Sequence, residues 1–415
     1  MERYNPWWIN EPDFTYIEWK KAEIHWVPDV INEFSLEPFS LNFLFGPRQV
    51  GKTTAIKIQI HRLLEKYGPK SIFYYSCDEL TDHHELGEVL DNYLSARKSW
   101  GIRNSFIFLD EITFVDQWWR AIKSRIDSGE LSGDVITITG SASMELMKQK
   151  EFFPGRRGKG KDHLMMPLSF SRYVEVFSDI SPSTGGIEDI ERNASANRVF
   201  SETLKAMFRR YLETGGFPRA IRDFHSFGKV SNETMKTYLD WMRGDWIKAG
   251  KSERYMKELL SYIINARGTP ISWNGIASET GINSPNTARS YVEVLEGTFS
   301  SLILYLLSPD SKVLYRKNKK IHFTDPLLFR IFSEYTGEEL YEDWIIEGTV
   351  ASLLSRRAPV FYWRNSSEVD VLCKIDGKQV GFEVTKGIKR WKKPKHVEKA
   401  YLLDRANIHI YLSCL

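Results

Sequence analysis

The 415-residue sequence contains only three cysteines, Cys77, Cys373 and Cys414. They are scattered and odd in number, which excludes a disulfide framework and a zinc-finger spacing and fits a reducing cytosol. Long hydrophobic runs are missing too: the strongest, around Leu302 to Leu307, is far too short to span a bilayer. The opening stretch Met1-Glu2-Arg3-Tyr4-Asn5-Pro6 lacks the apolar core of a signal peptide. The expectation is a cytoplasmic protein with no membrane partner. Charge of one sign is also lacking, since 57 Lys and Arg stand against 54 Asp and Glu for a net charge of +3. Any nucleic-acid surface must therefore come from local clustering.

What is present is an ordinary globular composition, 42% hydrophobic and 27% charged, in a chain long enough for two to four domains. The 13 Trp read most simply as core and interdomain packing. Residues 1–38, rich in Trp, Pro and acidic groups, read as an arm packed on the first domain. Leu41, Phe43 and Phe45 alternate and meet Gly46, the pattern of a strand ending in a loop. Ile56, Ile60, Leu63 and Leu64 then follow helical spacing up to Gly68. Further strands are expected over 71–76, 105–109 and 135–139, and a helix over 85–98. Strands alternating with helices imply a parallel sheet covered on both faces. From about 197 to 250 the pattern turns helical, interrupted by Gly215-Gly216-Phe217-Pro218.

Between the first strand and its helix lies Gly46-Pro47-Arg48-Gln49-Val50-Gly51-Lys52-Thr53, followed by Thr54. This G-x-x-x-x-G-K-[ST] spacing lets backbone N–H groups turn onto phosphate oxygens, with the helix N-terminus behind them. Lys52 is placed to reach the β- and γ-phosphates and Thr53 to put its hydroxyl on Mg²⁺, so ATP and Mg²⁺ are the expected ligands. A second signal is independent. Phe106-Ile107-Phe108-Leu109-Asp110-Glu111 is an apolar strand ending in two carboxylates. Asp110 suits the Mg²⁺ water shell and Glu111 the activation of an attacking water. Thr139 and Ser141, at the end of the strand over 135–139, are both candidates to sense the γ-phosphate; the alternative for Ser141 is a helix cap. Gly155-Arg156-Arg157-Gly158-Lys159-Gly160-Lys161 reads either as a solvated basic loop or as the source of an arginine for the γ-phosphate, from the same subunit or a neighbour in a homo-oligomer.

The set GPRQVGKTT, FLDEITFVDQWWRAIK, TITGSAS, FFPGRRGKGKD, MMPLSF and YLETGGFP resembles archaeal and bacterial AAA+-type ATPases in which a winged helix and a PD-(D/E)XK nuclease-like domain follow the ATPase module. The resemblance implies an α/β fold: a P-loop NTPase (AAA+-like) parallel sheet with a helical lid, then a winged helix and a PD-(D/E)XK-like α/β domain. Its expected boundaries are 1–195 for the ATPase core with its arm, 196–250 for the lid, 251–325 for the winged helix-turn-helix and 326–415 for the nuclease-like domain. It implies ATP hydrolysis with Mg²⁺ and favours a working role for Arg156 or Arg157.

In the C-terminal half, Asn274 to Thr280, Gly281 and Ser284-Pro285-Asn286-Thr287-Ala288-Arg289 read as helix-turn-helix. Ser284 suits the N-cap and Pro285 the first helical position. Such a second helix enters a DNA major groove or serves only as a packing surface. In EVDVLCKIDGKQVGFEVTK, Asp370 and Glu383 match the nuclease-like core, with Glu347 as its additional acidic position and Lys386 as the lysine. There the pattern departs from Glu-x-Lys. Residues two apart share a strand face and residues three apart do not, so Thr385 stands where the lysine belongs. A nuclease-like fold with little or no cleavage is expected. Two basic clusters, Lys312, Arg316, Lys317, Lys319 and Lys320, and Lys386 to Lys399 around Trp391, point to nucleic acid or to solvated surface. Three readings follow: an ATPase that contacts DNA, a nucleotide-controlled protein–protein (STAND-like) switch, and an active ATP-dependent nuclease.

Overall fold

Near-continuous apolar strands form the centre of the first of two units. The structure, a computed structural model, describes residues 1–140, 146, 149–365, 367–385 and 391–415, and its contacts divide the chain into Met1–Met166 and Pro167–Leu415. In the first unit, β1 (Ser40–Phe45), β2 (Ile72–Ser76), β3 (Phe106–Asp110), β4 (Val135–Thr139) and β5 (Asp162–Leu164) form one sheet in the order β2-β3-β4-β1-β5. All four pairings are parallel. β1, β3 and β4 are buried at every position, as a sheet covered on both faces requires. Helices given by the described residues of this unit include α1 (Phe14–Lys21), α2 (Lys52–Leu64), α3 (His83–Ser99) and α4 (Trp119–Asp127). The register pairs Leu44 with Thr139 and Leu109 with Ile138. The C-terminal ends of β1, β4 and β3 therefore lie side by side, where open parallel sheets carry their ligands.

The first residues of the chain cover the edge strand β2. The Asn5 side chain accepts from the Tyr74 N–H and donates to the Tyr74 carbonyl, and the Trp7 and Trp8 indoles donate to the Ile72 carbonyl. An exposed row of backbone donors and acceptors is thus partly satisfied by side chains.

The second unit opens with helices α5 (Phe170–Phe177), α6 (Ile190–Asn197), α7 (Ser201–Thr214), α8 (Pro218–Phe227) and α9 (Asn232–Lys248). Three more follow, α10 (Glu253–Ala266), α11 (Trp273–Glu279) and α12 (Pro285–Gly297), then the antiparallel pair β6 (Ser301–Tyr305) and β7 (Lys319–Phe323). Helices α13 (Pro326–Thr336) and α14 (Glu342–Ser355) lead into β8 (Val360–Arg364), β9 (Glu368–Ile375), β10 (Lys378–Val384) and β11 (Lys399–Leu403), and α15 (Ile408–Leu412) closes the chain. These strands form a mixed sheet, β11-β10-β9-β8, with β10 and β11 parallel and the rest antiparallel. Between α7 and α8, Gly215 has φ +59, and a Cβ there would lie 1.7 Å from Asp325 Oδ1. Only glycine admits that approach. Among the described residues no helix is long and apolar enough to cross a membrane.

Candidate nucleotide site and a second acidic cluster

The loop after β1 is shaped by its backbone. Gly46 (φ +149), Gln49 (φ +60) and Gly51 (φ +98) all take positive φ, which turns successive N–H groups inward. Gly46 has a second constraint: a Cβ there would lie 2.1 Å from the Met165 carbonyl oxygen. Pro47, Arg48 and the buried Val50 complete the loop, and α2 begins at once with Lys52, Thr53 and Thr54. The positive end of the helix therefore points at the loop. The buried Lys52 ammonium donates to the Gly46 and Pro47 carbonyls at 2.9 Å each. The Thr53 hydroxyl donates to Asp110 Oδ2 at 2.6 Å.

Asp110 ends β3 almost fully buried. Its Oδ2 also accepts from the Tyr74 hydroxyl at 3.0 Å, and its Oδ1 from the Glu111 N–H at 3.1 Å. Burial pushes its pKa above the ordinary carboxylate value, opposed by the Thr53 hydrogen bond. Glu111 follows at φ +54, a conformation uncommon outside glycine and found at functional sites. A glycine cradle at a helix N-terminus, with an ammonium, a hydroxyl and a dry carboxylate converging on it, fits a Mg²⁺-bound nucleoside triphosphate.

Behind Asp110 stands a support that no motif marked. The Lys57 ammonium lies 3.4 Å from the Tyr74 ring centroid and 3.0 Å from Asp13 Oδ2, with both charged side chains buried. Asp13 in turn caps α1 by accepting from the Tyr16 N–H. Burial lowers the Lys57 pKa, and the Asp13 carboxylate opposes the shift. The one signal in the sequence is a lysine set inside the run Ile56-Lys57-Ile58.

Thr139, at the end of β4, is fully buried, and its hydroxyl has no hydrogen-bond partner among the described residues. Its neighbour on β1 is Leu44, and it lies one step beyond the Leu109–Ile138 pair, level with Asp110. Ser141 lies outside the described residues. Arg156 is bound to Asp127 and Arg157 to Asp162, each at 2.5 Å, and Arg157 lies 4.9 Å from the Phe43 ring. Their ion-pair partners are not loop residues.

In the second unit, Glu347 on α14, Glu368 and Asp370 on β9 and Glu383 on β10 are brought together, but around a residue assigned above to a surface cluster. The Lys320 ammonium, on β7, lies 2.8 Å from Glu347 Oε1, 2.8 Å from Asp370 Oδ1 and 3.1 Å from Glu368 Oε1. The Asp370 N–H donates to Glu383 Oε2, and the Val384 N–H to Asp370 Oδ2. Against burial, the Lys320 ammonium holds the Glu347 carboxyl below the ordinary carboxylate value. Burial and then the Glu347 carboxylate raise Asp370. Lys386 lies outside the described residues. Among the described residues no group of three or more His, Cys, Asp or Glu side chains is arranged to hold a metal ion. The arrangement therefore does not fit the divalent cation that the nuclease-like resemblance implies, because an ammonium fills the centre.

The surface clusters need correcting. Lys319 and Lys320 are each only 2% exposed, so they are not free to grip phosphate. Lys319 lies 4.1 Å from the Trp273 ring and Lys312 pairs with Asp310. Trp391, read above as a stacking platform, donates its indole N–H to the Glu368 carbonyl and packs against a core of Val369, Leu372 and Val397.

Residues 39–174 match the family model of the AAA domain. That match spans all five strands of the first unit's sheet and the glycine loop between β1 and α2. Residues 205–338 match a domain of unknown function, DUF8612. Two curated relatives come from Methanocaldococcus jannaschii. Uncharacterized protein MJ1637 is 27% identical over 68% of this chain, which spans 60% of that relative's length. Uncharacterized protein MJ1544 is 26% identical over 91% of this chain and 83% of its own. Among solved structures, the Walker-type ATPase PABY2304 of Pyrococcus abyssi is similar at a TM-score of 0.45, with 14% identity over 70% of this chain and 90% of that one. The ORC2 protein of Aeropyrum pernix is similar at a TM-score of 0.40, with 10% identity over 75% and 97%.

Proposed function

We propose that this chain is an ATPase that binds ATP with Mg²⁺ and hydrolyses it, and that its C-terminal half contacts DNA. The observation that carries the first part is the 2.6 Å bond between the Thr53 hydroxyl and Asp110, made beside Lys52 and one residue before Glu111. In this reading the N–H groups of Gly46 to Thr53 and the Lys52 ammonium hold the phosphates. Thr53 and Asp110 hold the metal, which neutralises phosphate charge when bound. Glu111 takes a proton from the attacking water. Thr139, whose buried hydroxyl has no hydrogen-bond partner among the described residues, orients that water or the γ-phosphate. Arg156 and Arg157 would first have to leave Asp127 and Asp162 to take any part.

The helices over 196–250 are the lid, 251–325 a winged helix-turn-helix and 326–415 a nuclease-like domain. The order supporting this is α11, a short turn, α12 and the β6–β7 pair, followed by α14 and the mixed sheet. The test is ATP hydrolysis with and without duplex DNA. Lys52→Ala should abolish binding and turnover. Glu111→Gln should keep binding and lose turnover by a hundredfold or more, on the scale of ~10²–10⁴ for general acid–base groups. Glu111→Gln turnover at the wild-type rate would sink the assignment.

One observation favours a second reading, a nucleotide-controlled protein–protein switch. The solvent side of α12 carries Arg289 already paired with Glu293, and Glu296 beyond it. A face without free positive charge suits a protein partner better than a phosphate backbone. Nucleotide-dependent oligomerisation on size exclusion, with no effect of DNA on turnover, would select it.

A further inference from the structure

An ammonium carries three N–H donors. At Lys320 three carboxylates, Glu347, Glu368 and Asp370, lie within 3.1 Å of it. Two donors go to Glu347 and Asp370, the Glu368 carboxylate lies against the ammonium as an ion pair, and the Lys320 side chain is 2% exposed. A lysine held this way acts as a counter-ion and not as a group that meets a phosphodiester. Two residues on, His322 shares the face of β7 that Lys320 uses. It is fully buried, neither ring nitrogen has a hydrogen-bond partner of good geometry among the described residues, and Nε2 lies 3.4 Å from Glu347 Oε1.

We propose that Lys320 is the resident cation of this cluster, standing where a nuclease of this architecture binds a divalent ion, and that removing it opens a site for Mn²⁺.

Three oxygens from two elements already converge on one point. They stand at 2.8 to 3.1 Å from the ammonium, wider than the ~2.0–2.6 Å of hard divalent cations. Closing that gap takes a contraction of up to about 1 Å by side chains on α14 and β9. Without the ammonium, carboxylates left facing one another, with Asp370 buried and Glu347 and Glu368 partly so, must take up protons or another cation. Carboxylate oxygens suit Mn²⁺, and His322 offers a nitrogen beside Glu347. A cavity of about 190 Å³, lined in part by Glu347, Thr385 and Arg405, gives access. The inference is independent of the nucleotide site, since the two share no residue.

The test uses the full chain without nucleotide. Mn²⁺ is titrated by calorimetry and by thermal melting into wild type, Asp370→Asn, Lys320→Ala and Lys320→Gln. Wild type and Asp370→Asn should respond to Mn²⁺ alike, because neither binds it at the cluster. Lys320→Ala or Lys320→Gln should melt lower in chelator and regain stability with Mn²⁺, binding one ion more than wild type. Adding Asp370→Asn to the responsive variant should abolish that gain. A wild-type Mn²⁺ site lost in Asp370→Asn would overturn the proposal, since the metal would then coexist with the lysine. It would equally be overturned if the Lys320 variants gained no Mn²⁺ site, or if both failed to fold even with Mn²⁺ present.

Discussion

At the end of β3 the Asp110 carboxylate accepts from Thr53, Tyr74 and the Glu111 N–H. The Tyr74 hydroxyl shares Oδ2 with Thr53, the residue proposed to hold the metal. Tyr74→Phe keeps the ring under the Lys57 ammonium and removes only the hydroxyl. A hydrogen bond to a charged acceptor contributes about 1.5–3 kcal/mol, so urea denaturation should show a loss toward the low end of that range. The more telling readout is the Mg²⁺ dependence of ATP turnover. It should move to higher Mg²⁺ with little change in rate at saturation, because Asp110 then holds the hydroxyl of Thr53 alone. An unmoved Mg²⁺ curve would make Tyr74 a packing residue only. The shape of the loop and the meeting of Thr53 with Asp110 were legible in the sequence because strand–loop–helix order and local spacing fix them. Tyr74 was not, since it acts on a carboxylate 36 positions away. Lys320 was misread as surface charge for the same reason: its partner Asp370 is 50 positions on.

Among the elements, α13 is tied to the turn between α7 and α8 by one side chain. Asp325 caps α13 by accepting from the Leu327 N–H on Oδ1, and its Oδ2 accepts from the Gly216 N–H. Burial raises its pKa to about 6, against the pull of those two N–H groups. The sign of the consequence follows from proton counting. Below the unfolded carboxyl value, ordinarily 3.8, both states are protonated and the contribution is fully present. As pH rises from there to about 6, the folded state keeps a proton the unfolded state has lost, so stability falls; above that it is flat. Asp110 and Asp370 are also raised and tilt the wild-type curve the same way. The difference between wild type and Asp325→Asn therefore isolates this group. Asn cannot titrate, so urea midpoints of the two proteins between pH 4 and 7 should converge as pH rises through that window. A difference independent of pH would show that Asp325 does not titrate there. Element positions were legible wherever the apolar pattern was long. β1, β3 and β4 stand within a residue or two of their expected places, and Ser284 caps α12 with Pro285 at its first position. β5 was not legible: three residues, Asp162–Leu164, carry no period, and only pairing with β1 makes them a strand.

Over the whole molecule a net charge of +3 leaves DNA binding to a few cations. In the two clusters read as phosphate-gripping surface, Lys319 and Lys320 are buried and Lys312 is paired with Asp310. Lys393 donates to the carbonyls of Val397 and Glu398, and Lys399 lies 3.5 Å from Glu191. Among the described residues of those clusters, the cations that are exposed and also make no ion pair or side-chain hydrogen bond are Arg316, Lys317, Lys392 and Lys395. Each phosphate contact with duplex DNA contributes about −0.9 to the slope of log affinity against log salt. Those four side chains therefore allow a slope no steeper than about −4, and a loss of about a hundredfold between ~50 and ~200 mM salt. Fluorescence anisotropy with a labelled duplex over that range measures it directly. Replacing Arg316 and Lys317 by Ala should flatten the slope by about 2 while leaving ATP turnover without DNA unchanged. A slope much steeper than this would move the contact to Lys386, Lys389 and Arg390, or out of these clusters altogether. No measurable binding at the lowest salt would remove DNA as the partner of the C-terminal half and leave α12, with its paired arginine, as a surface for protein.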